Sequence, residues 1–368
     1  MSTFTPLTLE QIETPALLVD LDLLEENIRI MADFFRGRKT RLRPHFKTCK
    51  CPNIAHLQLS AGAKGITCAK VEEAEVLINA GVKDILVANQ VVDAAKIYRL
   101  ACMARGGARI TVAVDRVENV DDLAAAARQA GGTLHVLIEV DVGMERCGVN
   151  TEAEALELAS RIAGAEGLVF EGIQAYEGHL QYDAARPGRL NDELRREGVH
   201  KMVEKVGAIK RHLEGNGFPV KEVSGGGTGT YHITGDRTIW TEIQAGSYVF
   251  MDSAYAAGDL PFRTSLSILT TIIHKRAGVA ITDAGLKVCS TEHGLPVIKD
   301  RPDLRILGGL SEEHGKIADE GDALRYLQRI EYIPSHCCTT VNLHDRLYCV
   351  RAGVLEAVWP ISGRGKSR

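Results

Sequence analysis

The sequence lacks the long runs that mark membrane proteins and nucleic-acid-binding proteins. Nowhere in its 368 residues is there an apolar stretch of about eighteen residues, the length that predicts a membrane-spanning helix. Basic side chains form no continuous stripe and the formal net charge is -4, so we expect neither a membrane nor a nucleic-acid partner. The N-terminal segment has neither the basic start nor the apolar core of a signal peptide, which predicts a cytoplasmic protein.

The cysteine pattern does not predict disulfides. The nine cysteines are odd in number and irregular in spacing, unlike the framework of a small secreted domain. In a reducing compartment, cysteines are more often small buried side chains or metal ligands. We therefore expect most of the nine to be structural.

From about residue 42 to residue 250, short β-branched runs alternate with Ala-, Leu- and Glu-rich stretches of helical periodicity. This alternation is typical of repeated strand–helix units around a parallel sheet. The eight predicted strands are 43–47, 65–70, 84–89, 110–115, 134–141, 170–176, 222–227 and 243–250. The main predicted helices between them are 71–80, 93–104, 117–130, 152–163 and 190–213. Eight units fit a closed (β/α)8 TIM-type barrel better than an open sheet, and we place the barrel at residues 22–252.

Beyond about residue 255, strand-like runs follow one another without long helices. The predicted strands here are 266–273, 279–283, 305–308, 323–333, 346–351 and 354–360. They predict a second, all-β domain over residues 253–368. An early strand at 16–20 precedes the barrel pattern, so we assign residues 1–21 to this second domain as well.

Lys47 ends the first predicted barrel strand, in the segment RPHFKTCK. Reactive side chains in such barrels project from the C-terminal ends of the strands. Burial of an unpaired ammonium is costly and depresses its pKa, and a neutral amine can hold a carbonyl cofactor as an imine. Lys47 is therefore a candidate nucleophile, with Lys50 as the second candidate. On spacing alone, a solvated lysine at a strand end is the commoner explanation.

Glycines cluster in SGGGTGT, residues 224–230, at the end of the seventh predicted strand. Successive backbone N–H groups in such a segment can wrap an anion such as a phosphate. The segment fits neither the dinucleotide fingerprint nor the P-loop pattern. A phosphate loop and a tight turn without a ligand both remain open.

Histidine and cysteine are concentrated in IPSHCCTTVNLHD, residues 333–345. Imidazole and thiolate groups suit a divalent transition metal. In an extended strand, His336 and Cys338 point to one side while Cys337 points away, so the pair could share one ion. Two protein ligands leave coordination positions open, which suits an ion that polarises a substrate oxygen. An accidental His-Cys-Cys run is the alternative.

Taken together, these segments resemble one known family. The motifs that carry the resemblance extend over nearly the whole chain: TPALLVDLD, RPHFKTCKCP, EVDVGMERCGV, SGGGTGT, QAGSYVFMD, DAGLK, EHG and PSHCCTTVNLHD. In this order they are similar to the D-threonine aldolase and D-serine dehydratase group of fold-type III pyridoxal 5'-phosphate (PLP) enzymes, which are distant relatives of alanine racemase. GGGTGT, AGSYVFMDS, DAGLK and PSHxxxTxNLHD resemble the aldolase branch more closely than the dehydratase branch.

The resemblance implies roles for individual residues. Lys47 corresponds to the family's Schiff-base lysine, Arg146 to the arginine that contacts the cofactor ring, and Tyr176 to the aromatic residue beside it. The implied phosphate-binding residues are Gly226, Gly227, Thr228, Gly246, Ser247 and Tyr248. His336 and Cys338 lie where the family binds a divalent ion, here Mn²⁺, Zn²⁺ or Mg²⁺.

Two positions depart from the aldolase pattern. Aldolases of this type often have an aspartate where this chain has Cys338, and the His-x-Cys pair is typical of the dehydratase branch. The aldolases also often read QAYHGSxQH, in which the last histidine is the base near the β-hydroxyl, whereas this chain reads QAYEGHLQY. Tyr182 takes that place. His179, three residues earlier, is the favoured base because its unperturbed pKa lies near neutrality.

The resemblance implies a homodimeric lyase that cleaves D-β-hydroxy-α-amino acids, such as D-threonine or D-3-hydroxyaspartate, to glycine and an aldehyde. The alternative is a dehydratase that converts D-serine or D-3-hydroxyaspartate to a keto acid and ammonia. A second alternative, a non-catalytic PLP carrier, needs neither the second domain nor the metal pair. A racemase would require a further acid–base group on the opposite face of the imine.

Overall fold

The computed structural model describes residues 7–181 and 192–368, which fall into two compact units. The first, called the barrel unit, contains residues 31–47, 54–246 (without 182–191) and 366–368. The second, called the sheet unit, contains residues 7–30, 48–53 and 247–365. The division at residues 22 and 252 stays a prediction; the compact units differ from it by assigning 48–53, directly after Lys47, to the sheet unit.

The described residues form strands, helices and short 3-10 turns. The strands are β1 (Ala16–Asp20), β2 (Arg41–Leu42), β3 (Ile66–Cys68), β4 (Asp84–Gln90), β5 (Arg109–Val114), β6 (Leu134–Glu139), β7 (Leu168–Ala175), β8 (Glu222–Gly225), β9 (Glu242–Ile243), β10 (Leu266–Arg276), β11 (Gly278–Thr282), β12 (Val297–Ile298), β13 (Arg305–Leu310), β14 (Gly315–Asp319), β15 (Arg329–Ile333), β16 (Arg346–Arg351) and β17 (Val354–Pro360). The α-helices are α1 (Leu21–Phe35), α2 (Phe46–Cys49), α3 (Pro52–Ser60), α4 (Val71–Asn79), α5 (Ala94–Arg105), α6 (Val117–Ala130), α7 (Glu152–Ala163), α8 (Asp192–Gly215), α9 (Tyr231–Thr234), α10 (Ser253–Ala256) and α11 (Cys337–Val341). The 3-10 turns are Leu9–Gln11, Gly178–Leu180 and Ser247–Val249. Within the described ranges, no helix combines the length and the apolar character that crossing a membrane requires.

Eight parallel strands form the barrel unit, in the order β2-β9-β8-β7-β6-β5-β4-β3. The two ends of this order meet, because the amide of Thr67 donates to the carbonyl of Pro44 over 2.9 Å and His45 pairs with Thr67 in a parallel bridge. The predicted (β/α)8 barrel is therefore confirmed. Strand β5 ends in five consecutive buried residues. Burial on both faces explains why such strands occur in the sequence as continuous apolar runs.

Local sequence signals fix the ends of the barrel helices. Helix α7 begins with a capping box: Thr151 Oγ1 accepts from the amide of Glu154 at 3.2 Å, and the Glu154 carboxylate accepts from the amide of Thr151 at 3.0 Å. Helix α6 is followed by Gly131, whose φ of 70° is a left-handed conformation that glycine adopts at little steric cost. The predicted helices 117–130 and 152–163 have these bounds in the structure because capping and apolar periodicity agree.

Two predicted barrel strands are wrong in their extent. The strand predicted at 43–47 lies at Arg41–Leu42 instead, before the predicted range, and residues 46–49 form the helical turn α2. Pro44 interrupts the strand because it has no N–H to donate. The strand predicted at 243–250 ends at Ile243 and is followed by the 3-10 turn Ser247–Val249. Lys47 therefore lies on a helical turn just beyond its strand.

A mixed sheet forms the centre of the sheet unit. Its main path is β13-β14-β11-β10-β1-β16-β17, and β15 joins it by pairing with β10. Strand β1 pairs antiparallel with β10 and parallel with β16, which confirms that residues 16–20 join this second sheet. Leu18, Leu269 and Val350 pack in a buried apolar cluster across these three strands.

The sheet unit differs from the predicted strands in four places. The strand predicted at 323–333 begins only at Arg329, because the amides of Ala323 and Leu324 donate to the Asp319 carboxylate in a turn. Strands β12 and β14 were absent from the prediction. Residues 337–341 form helix α11. The amide of Cys337, the first of this helix, donates to the carboxylate of Asp252, which is distant in sequence.

Candidate active site

Lys47 lies on the helical turn after β2 and faces an aromatic ring of the barrel unit. Its Nζ is 5.5 Å from the centroid of the Tyr176 ring, and its side chain is half-buried. Lys50 has a different environment: it is buried in the sheet unit, where its Nζ donates to the carbonyl of Gly363 at 3.1 Å. The environment of Lys47 therefore fits a reactive amine better than that of Lys50.

Arg146 approaches the same Tyr176 ring, with its guanidinium carbon 6.0 Å from the ring centroid. It lies on the loop after β6, whose shape depends on Asp141. The Asp141 side chain accepts hydrogen bonds from the amides of Gly143, Met144 and Glu145 at 2.9 to 3.1 Å. The structure thus brings the predicted lysine and arginine, Lys47 and Arg146, close to the ring of the predicted tyrosine, Tyr176.

The glycine segment after β8 requires the absence of side chains. Gly226 has a φ of +72°, and a Cβ on Gly227 would lie 2.4 Å from Oε1 of Gln181. The amide of Gly226 donates to Oε2 of Glu177 at 2.9 Å, and the amide of Gly227 donates to Oγ1 of Thr230 at 3.2 Å. These two glycines therefore set the path of the loop, and their role in phosphate binding stays a prediction.

Glu177 was missed by the sequence analysis. Its buried carboxylate accepts the hydroxyl hydrogens of Thr230 and Thr234, each at 2.7 Å, in addition to the Gly226 amide. The available signal was a charged residue directly after a barrel strand, in the segment QAYEG. Through these three hydrogen bonds, Glu177 anchors the glycine segment and the residues that follow it.

The remaining predicted phosphate-binding residues are divided between the units. Thr228 is buried and Gly246 lies beyond β9, both in the barrel unit. Ser247 and Tyr248 begin a 3-10 turn of the sheet unit. The Tyr248 ring is fully buried, with its centroid 5.5 Å from that of Phe262.

His179 lies in the 3-10 turn after β7, beside the loop that carries Arg146. A Cβ on Gly143 would lie 3.0 Å from the His179 ring, so the two segments are in close contact. Partial removal from water lowers the pKa of His179, against the opposing charges of Glu177 and Asp141. An imidazole that is neutral at physiological pH can accept a proton. The second predicted base, Tyr182, lies outside the described residues.

A buried acid also lies inside the barrel unit. Burial raises the pKa of Glu139 to about 7, although a hydrogen bond from Gln174 and the charge of Arg146 favour its ionised form. The Gln174 side-chain oxygen in turn accepts from Nε2 of Gln244 at 3.2 Å. Local sequence could not indicate this group, because its environment depends on several strands.

The predicted metal ligands lie at the start of helix α11. His336 is the N-cap residue, and the ligand atoms of His336, Cys337 and Cys338 all lie within 4.8 Å of one another. The assumption of an extended strand is therefore wrong. Burial raises the pKa of Cys337 well above its ordinary value, which keeps it a thiol. Cys338 is partly exposed, and its Sγ lies 3.2 Å from Oγ1 of Thr48 and 3.9 Å from Oγ of Ser247.

Two further residues border His336. The ring of His293 lies 4.6 Å from that of His336, and ligand atoms of Glu292, His293 and His336 lie within 4.8 Å of one another. Burial disfavours the imidazolium form of His336, but Cys338 and Asp252 outweigh this effect and raise its pKa to about 10. His293 belongs to the EHG motif, which gave it no assigned role.

The chemistry of the side chains fits the two groups implied by the sequence. The Lys47 amine, the Arg146 guanidinium group and the Tyr176 ring converge in the barrel unit. The same unit contains the glycine segment, in which added Cβ atoms would make close contacts with neighbouring atoms. This combination suits an anionic aromatic aldehyde such as PLP. In the sheet unit, an imidazole and a partly exposed thiol suit a divalent transition metal.

The barrel fold and the half-buried Lys47 agree with the protein families that the chain matches. Residues 19–254 match the family described as alanine racemase, N-terminal domain, and residues 265–350 match a putative serine dehydratase domain. The chain belongs to the alanine racemase N-terminal domain family, within the group of D-threonine aldolases and related dehydratases. The predicted family is thereby confirmed.

Three relatives illustrate this membership. The chain is 40% identical to 3-hydroxy-D-aspartate aldolase from Paracoccus denitrificans, over 97% of this chain and 93% of that protein. It is similar to the crystal structure of D-threonine aldolase from Filomicrobium marinum, with a TM-score of 0.94 and 36% identity over 99% of this chain and 98% of that one. It is 32% identical to D-threo-3-hydroxyaspartate dehydratase from a Delftia species, over 90% of this chain and 93% of that protein. A cysteine-to-alanine variant of a D-threo-3-hydroxyaspartate dehydratase is known in a metal-free form.

Proposed function

We propose that this protein is a PLP- and divalent-metal-dependent lyase that cleaves D-β-hydroxy-α-amino acids to glycine and an aldehyde. The observation that carries the proposal is the convergence of the Lys47 amine and the Arg146 guanidinium on the Tyr176 ring, at 5.5 and 6.0 Å. Similarity over nearly the whole chain to a 3-hydroxy-D-aspartate aldolase and a D-threonine aldolase supports the reaction type. D-3-hydroxyaspartate and D-threonine are therefore the proposed substrates.

Individual residues have separate tasks in this reaction. Lys47 holds the cofactor through its amine, and Arg146 and Tyr176 border the cofactor ring. The segment around Gly226 and Thr228 holds the phosphate. PLP, when bound, supplies a sink for the electron pair released at Cα.

Retro-aldol cleavage removes the proton of the β-hydroxyl, breaks the Cα–Cβ bond and returns a proton to Cα. We assign the first proton transfer to the His179 imidazole, with Tyr182 as the second candidate. His336 and Cys338 hold the divalent ion, for which Mn²⁺, Zn²⁺ and Mg²⁺ are the candidates. The ion, when bound, supplies Lewis acidity to a substrate oxygen.

The dehydratase alternative is favoured by one position. Cys338 matches the dehydratase habit, and the metal-free cysteine variant concerns a dehydratase. A thiolate and a carboxylate can each hold a divalent ion, so this exchange changes metal preference more readily than the bond that is broken. We therefore give the similarity of the whole chain more weight than this position.

Assembly and location are part of the proposal. The resemblance to fold-type III enzymes, whose sites are shared between subunits, supports a homodimer. A cytoplasmic location is part of the same proposal. A small D-amino acid is the expected binding partner.

Product analysis tests the proposed reaction. Purified protein with PLP and Mn²⁺ should release glycine and glyoxylate from D-3-hydroxyaspartate, and glycine and acetaldehyde from D-threonine. The L-enantiomers should give neither product. A chelator should stop turnover and leave the visible imine absorption in place. Formation of keto acid and ammonia instead of glycine would establish the dehydratase alternative, and full activity after chelation would exclude a catalytic ion.

A further inference from the structure

Asp252 is a fully buried carboxylate in contact with the segment that carries the proposed metal ligands. Its Oδ2 atom accepts from Nδ1 of His336 at 3.0 Å and from the backbone amide of Cys337 at 2.9 Å. Its Oδ1 atom accepts from the amide of Tyr255 at 3.0 Å. All four residues belong to the sheet unit. Both oxygens of Asp252 are thus engaged, and one of them contacts a proposed ligand directly.

The bond to Asp252 determines which nitrogen of His336 is available to an ion. A ring nitrogen that donates a hydrogen bond cannot ligate a metal, so the ligand must be the other nitrogen. Nδ1 is directed at Asp252, which leaves Nε2. A ring nitrogen of His336 and Sγ of Cys338 lie within 4.8 Å of each other, a separation that one ion can bridge.

The same carboxylate also fixes the start of helix α11. The Cys337 amide is the first of the helix, and its bond to Asp252 satisfies a donor that has no partner within the helix. Cys338 follows immediately in that first turn. Asp252 therefore constrains the ring of one ligand and the backbone that carries the other.

We propose that Asp252 is a positioning residue for the metal site, which holds His336 with Nδ1–H directed at its carboxylate so that Nε2 faces the ion. A hydrogen-bonded carboxylate behind a histidine ligand fixes the ring and makes the ligating nitrogen more basic. Asp252 does not itself contact the ion in this account. The inference depends on the proposed metal site at His336 and Cys338.

Metal affinity of the Asp252→Asn variant tests the inference. Asparagine has the same size and is a favourable residue at the start of a helix, so it can still accept the Tyr255 amide. Metal-free protein loaded with PLP is titrated with Zn²⁺ in competition with a chromophoric chelator. The Kd for Zn²⁺ should rise roughly 10- to 100-fold. Excess Zn²⁺ should restore occupancy, and the visible cofactor absorption should match that of the wild type.

Asp319→Asn is the matched control. Asp319 is also a buried carboxylate of the sheet unit, and it accepts from the amides of Ala323 and Leu324, away from the histidine and cysteine cluster. Its substitution removes a buried charge and backbone hydrogen bonds like those of Asp252, and also an ion pair with Lys275 at 2.9 Å. The control should bind Zn²⁺ within about twofold of the wild type, since the expected loss of about tenfold or more depends on contact with a ligand.

The outcomes separate this inference from the proposed function. An Asp252→Asn protein that binds Zn²⁺ as tightly as the wild type overturns the positioning role and leaves the proposed reaction intact. A wild-type protein that binds no divalent ion overturns both. If the variant does not fold, a crystal structure of the wild type with Mn²⁺ decides: Nε2 on the ion supports the inference, and Nδ1 or Asp252 on the ion contradicts it.

Discussion

The barrel unit and the sheet unit position their functional side chains by different means. In the barrel unit, Lys47, Arg146 and Tyr176 follow the C-terminal ends of three strands, which parallel topology brings to one end of the barrel. In the sheet unit, His336 and Cys338 occupy the first turn of a short helix, whose start depends on one buried carboxylate. Topology positions the first group, and an individual side-chain contact positions the second.

This difference has a consequence for substitutions. Strand ends are held by many backbone hydrogen bonds, so loss of one neighbouring side chain leaves the other barrel residues in place. A metal site needs its ligands within a few tenths of an ångström, and it depends on the groups that orient those ligands. Cofactor binding and metal binding should therefore be separable by mutation, and the following changes test that separation in order of decreasing effect.

Lys47→Ala should remove the cofactor function and leave the metal function. Turnover should fall to background and the visible imine absorption should disappear, because Lys50 is buried against Gly363 and cannot replace it. The Kd for Zn²⁺ should stay within about twofold of the wild type, since Lys47 is not a ligand. Borohydride reduction of the wild type followed by tandem mass spectrometry checks the assignment, and a pyridoxyl group on Lys50 would refute it.

His179→Asn should lower kcat by roughly 10²- to 10⁴-fold, the usual contribution of a general base. The base must be neutral, so activity is present above its pKa and is lost as the pH falls through that value. Partial burial lowers the pKa of His179, which places the acidic limb of the kcat/KM profile below about 6.5, the ordinary histidine value. The limb should be absent from the variant. An unchanged limb would show that another group is the base.

Thr230→Val and Thr234→Val form a matched pair for the glycine segment. Both hydroxyls donate to Glu177, but only the Thr230 hydroxyl also accepts, from the amide of Gly227 and from Nε2 of Gln181. Thr230→Val leaves that buried amide without its acceptor, at a cost of about 1–3 kcal/mol. The Kd for PLP should rise roughly 5- to 100-fold in this variant and clearly less in Thr234→Val. Equal effects on PLP binding, measured by absorbance titration, would argue against a role of this loop.

Cys338→Asp should have the smallest effect on rate. A carboxylate also binds divalent ions but prefers harder ones, so the preference should shift from Zn²⁺ toward Mn²⁺ and Mg²⁺. We expect kcat with the preferred ion within about tenfold of the wild type, because the exchange leaves the coordination charge unchanged. Cys337→Ser is the control, since that buried residue is not expected to bind the ion. A variant that changes product from glycine to keto acid would show that this position selects the reaction.

The parts of the fold that follow local patterns could be predicted from the sequence. Helices α6 and α7 have their predicted bounds because their apolar periodicity and the flanking residues, Gly131 after α6 and Thr151 before α7, are local in sequence. The first barrel strand lies before its predicted range and the last ends at the first residue of its predicted range, because a proline and a 3-10 turn interrupt runs of strand-forming residues. The residues of the metal site were recognisable by their chemistry, but their conformation was not.

The supporting residues of the site could not be found from local sequence. Asp252 lies 84 positions from His336, and Glu177 lies 53 positions from Thr230, so each contact exists only in the folded chain. His293 comes near His336 in the same way. Local periodicity describes elements, whereas these groups are defined by tertiary contacts between elements.

The fate of the hydrogen at Cα tests the proposed reaction most directly. Retro-aldol cleavage breaks the Cα–Cβ bond and keeps the Cα–H bond, whereas dehydration must remove that hydrogen. D-Threonine with deuterium at Cα should therefore give acetaldehyde and glycine that retains one deuterium, when product is analysed by mass spectrometry after a single turnover in ordinary water. Loss of the deuterium to water together with formation of a keto acid would contradict the account.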